Sequence, residues 1–233
     1  IVVKLTEMLS CMCKDTKIVL GGPEVGPRAC EVLREHPELY AVIAGEGEKS
    51  VPALLLSFAR GGEPYGIPGV AFDTEHGVKM VPEEPIEPLD AIKPPYTPIH
   101  GPALNGAAYL ETFRGCPHAC AYCFEAKGST RIRAFSWKRV EEDVARLAST
   151  PGLKSFTFID SVFNLTLSRL EKLAEILEPW AQKGIRLHTI EVDIEAIDEY
   201  QARLLKKCGV ISVETGPQTT NGPTLRSLNR SFD

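Results

Sequence analysis

From Ala107 onward the chain keeps a single rhythm: a short apolar run, a loop, a helix-length amphipathic segment, then another apolar run. "AAYLETF", "KSFTFID", "IRLHTIEV" and "VISVET" are four strand candidates, the second spanning Lys154 to Ile159. Between them, Ser136 opens a helix with Val140, Val144 and Leu147 on one face, and Thr166 opens another with Leu170, Leu173, Leu177 and Trp180 before Gly184 ends it. A third helix runs through Leu204 and Leu205 to Gly209. A helix between two strands carries the chain back to start the next strand in the same direction, so unbroken repetition predicts a parallel sheet. Repeated further, such units tend toward a (β/α) barrel, whose chemistry gathers at the carboxyl ends of the strands.

The first third shows the same rhythm in shorter form. "TKIVLGG" reads as a buried strand closed by glycines, and "PRACEVLREHPEL" as a helix with Ala29, Val32 and Leu33 on one face. "AVIAGEGE" repeats the strand, and "SVPALLLSFARGG" the helix, with Ser50 as the expected N-cap. The glycines suit either tight turns or the close approach of a ligand. "GVAF" and "VKMV" around "DTEHG" predict a β-hairpin, and six prolines between Pro82 and Pro98 predict an extended strap. The expected organisation is an open α/β domain over 1–65, a hairpin and Pro-rich linker over 66–104, and a partial barrel over 105–233.

The ends of the four later strands carry the chemistry. After the first comes Cys116, Cys120 and Cys123, three thiols within eight residues; the second ends at Asp160, the third at Glu191, the fourth at Glu214, with Gln218 just beyond. Closed zinc sites and ferredoxin-type clusters want four ligands, and C-x3-C-x2-C matches neither pattern. Three thiolates on a four-iron cluster leave one iron open, which a catalytic centre needs. The other reading of each carboxylate is a helix cap or a solvated turn. His118, inside the loop, is expected to point outward, and Cys11, Cys13, Cys30 and Cys208 to pack as small hydrophobes. A formal net charge of −5 and the lack of a basic block disfavour nucleic acid. No apolar run reaches the length of a membrane span and no signal peptide is recognisable, so a cytoplasmic protein with reduced thiols is expected.

The cysteine loop, with Tyr122 before the last cysteine and "RGCP" leading in, resembles the signature of the radical S-adenosylmethionine (radical SAM) enzymes. "FIDSVFN" and "VETGPQTTN" are similar to family segments that embrace the nucleoside, and the likeness covers Ala107 to Asp233. Upstream, "KIVLGGPEV" and "VIAGEGE" are similar to the second half of the cobalamin (B12)-binding, Rossmann-like α/β domain of one large branch. The resemblance implies that Cys116, Cys120 and Cys123 hold a [4Fe–4S] cluster whose open iron is chelated by S-adenosylmethionine. It also implies that an electron from the cluster cleaves the sulfonium to a 5′-deoxyadenosyl radical that attacks a substrate. Tyr122 then lies near the adenine, Asp160 accepts from the methionine ammonium, Glu191 and Glu214 accept from that ammonium or the ribose, and Gln218 assists. An external flavodoxin- or ferredoxin-type donor, an unknown small-molecule or peptide substrate, and cobalamin in the full-length protein complete the expectation, with methyl transfer or rearrangement as outcomes. One alternative is a corrinoid-binding or iron–sulfur electron-transfer module without S-adenosylmethionine chemistry, whose cysteines hold zinc or an electron-transfer cluster; a second is a four-thiolate ferredoxin-like centre that takes its fourth ligand from Cys208 or Cys30.

Both ends read as cuts through a longer protein. The resemblance implies a corrinoid-ligating histidine in an early strand-to-helix loop, and as neither His36 nor His76 sits in a matching context it is expected upstream of Ile1, with weak cobalamin binding and exposed apolar edges as the consequence.

Overall fold

The computed structural model describes residues 2–96, 106–124 and 131–230. The chain divides into two compact units, 1–87 and 88–233.

The first unit is a four-stranded sheet in the order β1 (Val19–Gly21), β2 (Ala41–Ile43), β3 (Val70–Phe72), β4 (Lys79–Met80). β1 and β2 are parallel, with Val19 opposite Ala41, whereas β3 and β4 run antiparallel to their neighbours. The hairpin therefore does not stand as a separate connector, because β3 pairs along its whole length with β2 and completes the sheet. Alternation sends the side chains of β2 and β3 to two cores: Val42 and Ala71 meet Ala29, Val32 and Leu33 of α2 (Ala29–Glu35), while Ala41, Ile43, Val70 and Phe72 meet Leu54 of α3 (Gly47–Ala59).

Ser50 is not the N-cap of α3. Glu46 takes that position, and Ser50 lies buried inside the helix, donating to the Pro68 carbonyl at 2.8 Å. The helix α1 (Val2–Met12) buries only Thr6, so Cys11, and Cys13 just after it, are exposed rather than packed. Cys30 is half-buried against the core below α2.

In the second unit β5 (Ala107–Leu110), β8 (Ser155–Phe158) and β9 (Arg186–Leu187) form a parallel sheet, with Ala107 opposite Ser155 and Ser155 opposite Arg186. A short antiparallel pair, β6 (Phe113–Arg114) and β7 (Arg133–Ala134), brackets the cysteine loop. The predicted third strand is broken after Leu187. Its first half pairs with β8, and its second half, β10 (Ile190–Glu191), pairs in parallel with β11 (Val213–Glu214); a bridge from Leu187 to Val210 joins the two sets. The four strands thus follow one another as an open parallel series, the partial barrel expected.

Three helices back this series where the periodicity placed them. α4 (Trp137–Ala148) begins at Ser136, whose hydroxyl accepts from Arg139 N, and α5 (Leu167–Gln182) at Thr166, which accepts from Arg169 N. α6 (Glu199–Lys207) is capped by Asp198 and stops before Gly209, where φ is +80°. Their apolar stripes bury Val144, Leu147, Leu170, Leu173, Leu177 and Leu205 against Phe156, Phe158 and Leu187 of the strands. The strap from Pro88 to Tyr96 binds to this layer: Leu89 is in the core, Asp90 accepts from Ser136 N at 2.9 Å, and the Tyr96 hydroxyl accepts from Tyr109 N at 2.8 Å. The end of the expected linker, 97–104, lies outside the described residues. Among the described residues no helix is long and apolar enough to cross a membrane.

Candidate functional site at the strand ends

The loop after β6 is held from several sides. Gly115 turns the chain out of β6 at φ +99°, and a Cβ there would lie 2.5 Å from the Arg131 carbonyl, so no other residue fits without a shift. Ser161, beyond the end of β8, donates to the Gly115 carbonyl at 2.7 Å. Ala121 N donates to the Leu228 carbonyl at 3.0 Å, and the Asn229 side chain donates to the Ala119 carbonyl at 2.7 Å. His118 does not point outward: its Nε2 lies 3.4 Å from Asp193 Oδ2, and Asp193 is fixed in turn by two backbone bonds with the Asn164 amide.

On this loop Cys120 is buried while Cys116 and Cys123 are half-buried. Arg230 Nη1 donates to Cys120 Sγ at 3.5 Å. Tyr122 is half-exposed; partial burial pushes its phenol pKa up, and the Cys120 sulfur adds to that. Among the described residues no three His, Cys, Asp or Glu side chains are arranged to hold a metal ion in this conformation. The donor set nevertheless fits an iron–sulfur cluster in its chemistry: three thiols on one pinned loop, each sulfur swinging about a single χ1 bond, with a cationic donor beside the buried one.

Asp160 is turned into the protein. It is 2% exposed, and its Oδ1 accepts from Thr112 N at 2.6 Å and from Phe113 N at 3.4 Å, while Oδ2 accepts from the Thr112 hydroxyl. Arg169 from α5 donates to the Thr112 carbonyl at 3.1 Å and lies over the rings of Phe113 and Trp137. Burial pushes the Asp160 carboxyl up to about 6; the Thr112 and Phe113 hydrogen bonds and the Arg169 charge oppose that rise.

Glu191 and Glu214 are different. They stand opposite one another in the parallel register of β10 and β11, and both are exposed. Gln218 lies beyond β11 in a left-handed conformation (φ +62°), its amide donating to the Gly216 carbonyl at 3.3 Å. Thr112, Arg169, Asp193, Asn229 and Arg230 were not singled out from sequence. Each acts on a partner tens of residues away, so no local spacing marks it.

Residues 110–233, more than half of the chain, match the Radical SAM superfamily. The chain belongs to this superfamily. It is 27% identical over 223 residues to an uncharacterized methyltransferase of Pyrococcus horikoshii, an alignment covering 92% of this chain and 48% of that protein. Among solved structures it resembles the radical S-adenosylmethionine methyltransferase TsrM from Kitasatospora setae, with tryptophan and a SAM analog bound (TM-score 0.74, 21% identity, 98% of this chain and 48% of that one). It also resembles the cobalamin-dependent radical enzyme OxsB with aqua-cobalamin and S-adenosylmethionine bound (TM-score 0.69, 16% identity, 99% and 35%). At these identities the solved structures show a shared fold. The chain spans at most about half the length of these relatives.

The four-thiolate alternative finds no support at Cys208. That thiol is fully buried in the helix-side core, and burial pushes its pKa up to about 12, the opposite of what a thiolate ligand requires.

Proposed function

We propose that this chain is the cluster-bearing part of a cobalamin-branch radical SAM enzyme that performs methyl transfer or a rearrangement on a small-molecule or peptide substrate. The observation that carries the reading is the C-x3-C-x2-C loop, pinned at the carboxyl end of β5 in a chain of this superfamily. Cys116, Cys120 and Cys123 would hold the [4Fe–4S] cluster, which with S-adenosylmethionine supplies one-electron reductive cleavage of the sulfonium. An external flavodoxin- or ferredoxin-type protein would deliver the electron.

The chain's own side chains bind and orient. Glu191 and Glu214, side by side at the strand ends, are suited to accept charge-assisted hydrogen bonds from the methionine ammonium and the ribose hydroxyls. Asp160 is already engaged by Thr112 and Phe113, so its role is to hold the strand end from which the cysteine loop departs. Tyr122, half-exposed beside Cys120, would lie against the adenine, with Gln218 assisting from the far strand.

In the first unit, Gly22 at the end of β1 is in the left-handed region with nothing within 4 Å of where a Cβ would stand, which leaves room for a corrinoid to approach. Gly45, at the end of β2, instead faces the Glu83 side chain, and Glu46 accepts from Ile86 N at 2.7 Å, so the chain's own strap covers that turn.

Anaerobic reconstitution with iron and sulfide tests the assignment. Four irons per chain are expected, retained in Cys208→Ala and lost in Cys116→Ala, Cys120→Ala or Cys123→Ala. Retention in the loop variants with loss in Cys208→Ala would contradict the reading.

A further inference from the structure

The last described turn of the chain reaches back to the cysteine loop through three bonds of different kinds. α7 (Gly222–Ser227) is capped by Asn221, which accepts from Thr224 N at 3.0 Å, and ends in Leu228 and a left-handed Asn229 at φ +55°. Asparagine tolerates that conformation better than most residues. The turn it makes presents the Leu228 carbonyl to Ala121 N, the Asn229 amide to the Ala119 carbonyl and the Arg230 guanidinium to Cys120 Sγ, so consecutive residues grip both neighbours of Cys120 and its sulfur. Arg230 is itself oriented: its N donates to the Leu225 carbonyl at 2.9 Å and its Nη2 to the Gly216 carbonyl at 3.0 Å.

We propose that Arg230 is a positioning residue that raises the reduction potential of the cluster by donating to the Cys120 sulfur, while Asn229 holds the loop that carries it. The inference rests on the cluster assignment above. Hydrogen bonds to ligand sulfurs and net charge nearby are among the factors that set cluster potentials. A permanent positive charge beside a ligating sulfur favours the more negative, reduced state. Both partners are at least half-buried, so solvent and salt screen this effect less than at an open surface. The two roles are separable, because the Asn229 bond is neutral and reaches backbone, whereas the Arg230 bond carries charge and reaches sulfur.

The test is an EPR-monitored redox titration of the anaerobically reconstituted chain, with iron content and iron loss to a chelator measured in parallel. Arg230→Met is expected to retain four irons but to lower the reduced-to-oxidised ratio at a fixed potential at least tenfold, about 59 mV for a one-electron couple. Arg230→Lys, which keeps the charge, restores most of the shift. Asn229→Ala leaves the potential in place and loses iron several-fold faster. An Arg230→Met cluster at the wild-type potential overturns the proposal, and if that variant also loses S-adenosylmethionine affinity the guanidinium serves the bound ligand instead. Should Arg230→Met fail to hold iron, Arg230→Gln and Arg230→Lys carry the test: a lower potential in the glutamine variant alone supports the proposal, and equal potentials overturn it. A wild-type chain that holds no four-iron cluster would instead overturn the functional reading on which this rests.

Discussion

The carboxylates at the strand ends of the second unit occupy equivalent places in the β/α pattern and face opposite surroundings. At the end of β8, Asp160 is sealed among Thr112, Phe113 and the Arg169 charge, whereas at the ends of β10 and β11, Glu191 and Glu214 stand exposed in register. The difference teaches that position at a strand end selects candidates, and burial with its hydrogen bonds decides between holding the fold and meeting a ligand. Asp160 belongs to the first kind; on the reading proposed above, the exposed glutamates belong to the second.

The sharpest way to break the contrast is Asp160→Ala. It orphans the buried Thr112 and Phe113 donors, so urea unfolding should show a loss of about 3 kcal/mol. Unchanged stability with lost S-adenosylmethionine affinity would place Asp160 among the ligand-binding acids instead.

Slightly smaller is the pH effect. The folded pKa of Asp160 is raised from 3.8 to about 6, so the folded state holds its proton more tightly than the unfolded chain. That contribution is fully present below about pH 4 and is lost as pH rises through about 6, on the order of 2–3 kcal/mol. Unfolding free energies measured across this window should fall with pH in the wild type and show a flatter slope in Asp160→Asn.

For the exposed pair the expectation reverses. Glu214→Gln should leave unfolding unchanged, and Glu214→Gln or Glu191→Gln should weaken S-adenosylmethionine binding roughly ten- to a hundred-fold, the cost of one charge-assisted hydrogen bond. Calorimetric titration of the reconstituted variants reads it, and full affinity in both would return these residues to the solvated surface. Thr112→Val keeps the backbone bond but removes the hydroxyl that donates to Asp160 and accepts from Arg169, so it should cost about 2 kcal/mol, less than Asp160→Ala.

Much of this was legible in sequence because it is local. The caps Ser136 and Thr166, the stops at Gly184 and Gly209, the strand order and the cysteine spacing each depend on a few neighbouring residues. What was not legible is long-range. Asp160 read as ligand-facing because its partner Thr112 lies 48 positions away, and the grip of Asn229 and Arg230 on the loop spans 110. Ser50 read as a cap because serine before an apolar run is a good signal, yet the helix starts earlier and Pro68, supplied by the returning chain, takes its hydroxyl.

On the reading proposed above, the three-cysteine loop presents an open iron to S-adenosylmethionine. That reading is tested most directly by the EPR spectrum of the reduced, anaerobically reconstituted chain before and after adding S-adenosylmethionine. A four-iron signal is expected whose g-values and line shape change on addition, a change lost in Glu191→Gln/Glu214→Gln. A reduced cluster whose signal is identical with and without S-adenosylmethionine would contradict it and leave an electron-transfer centre.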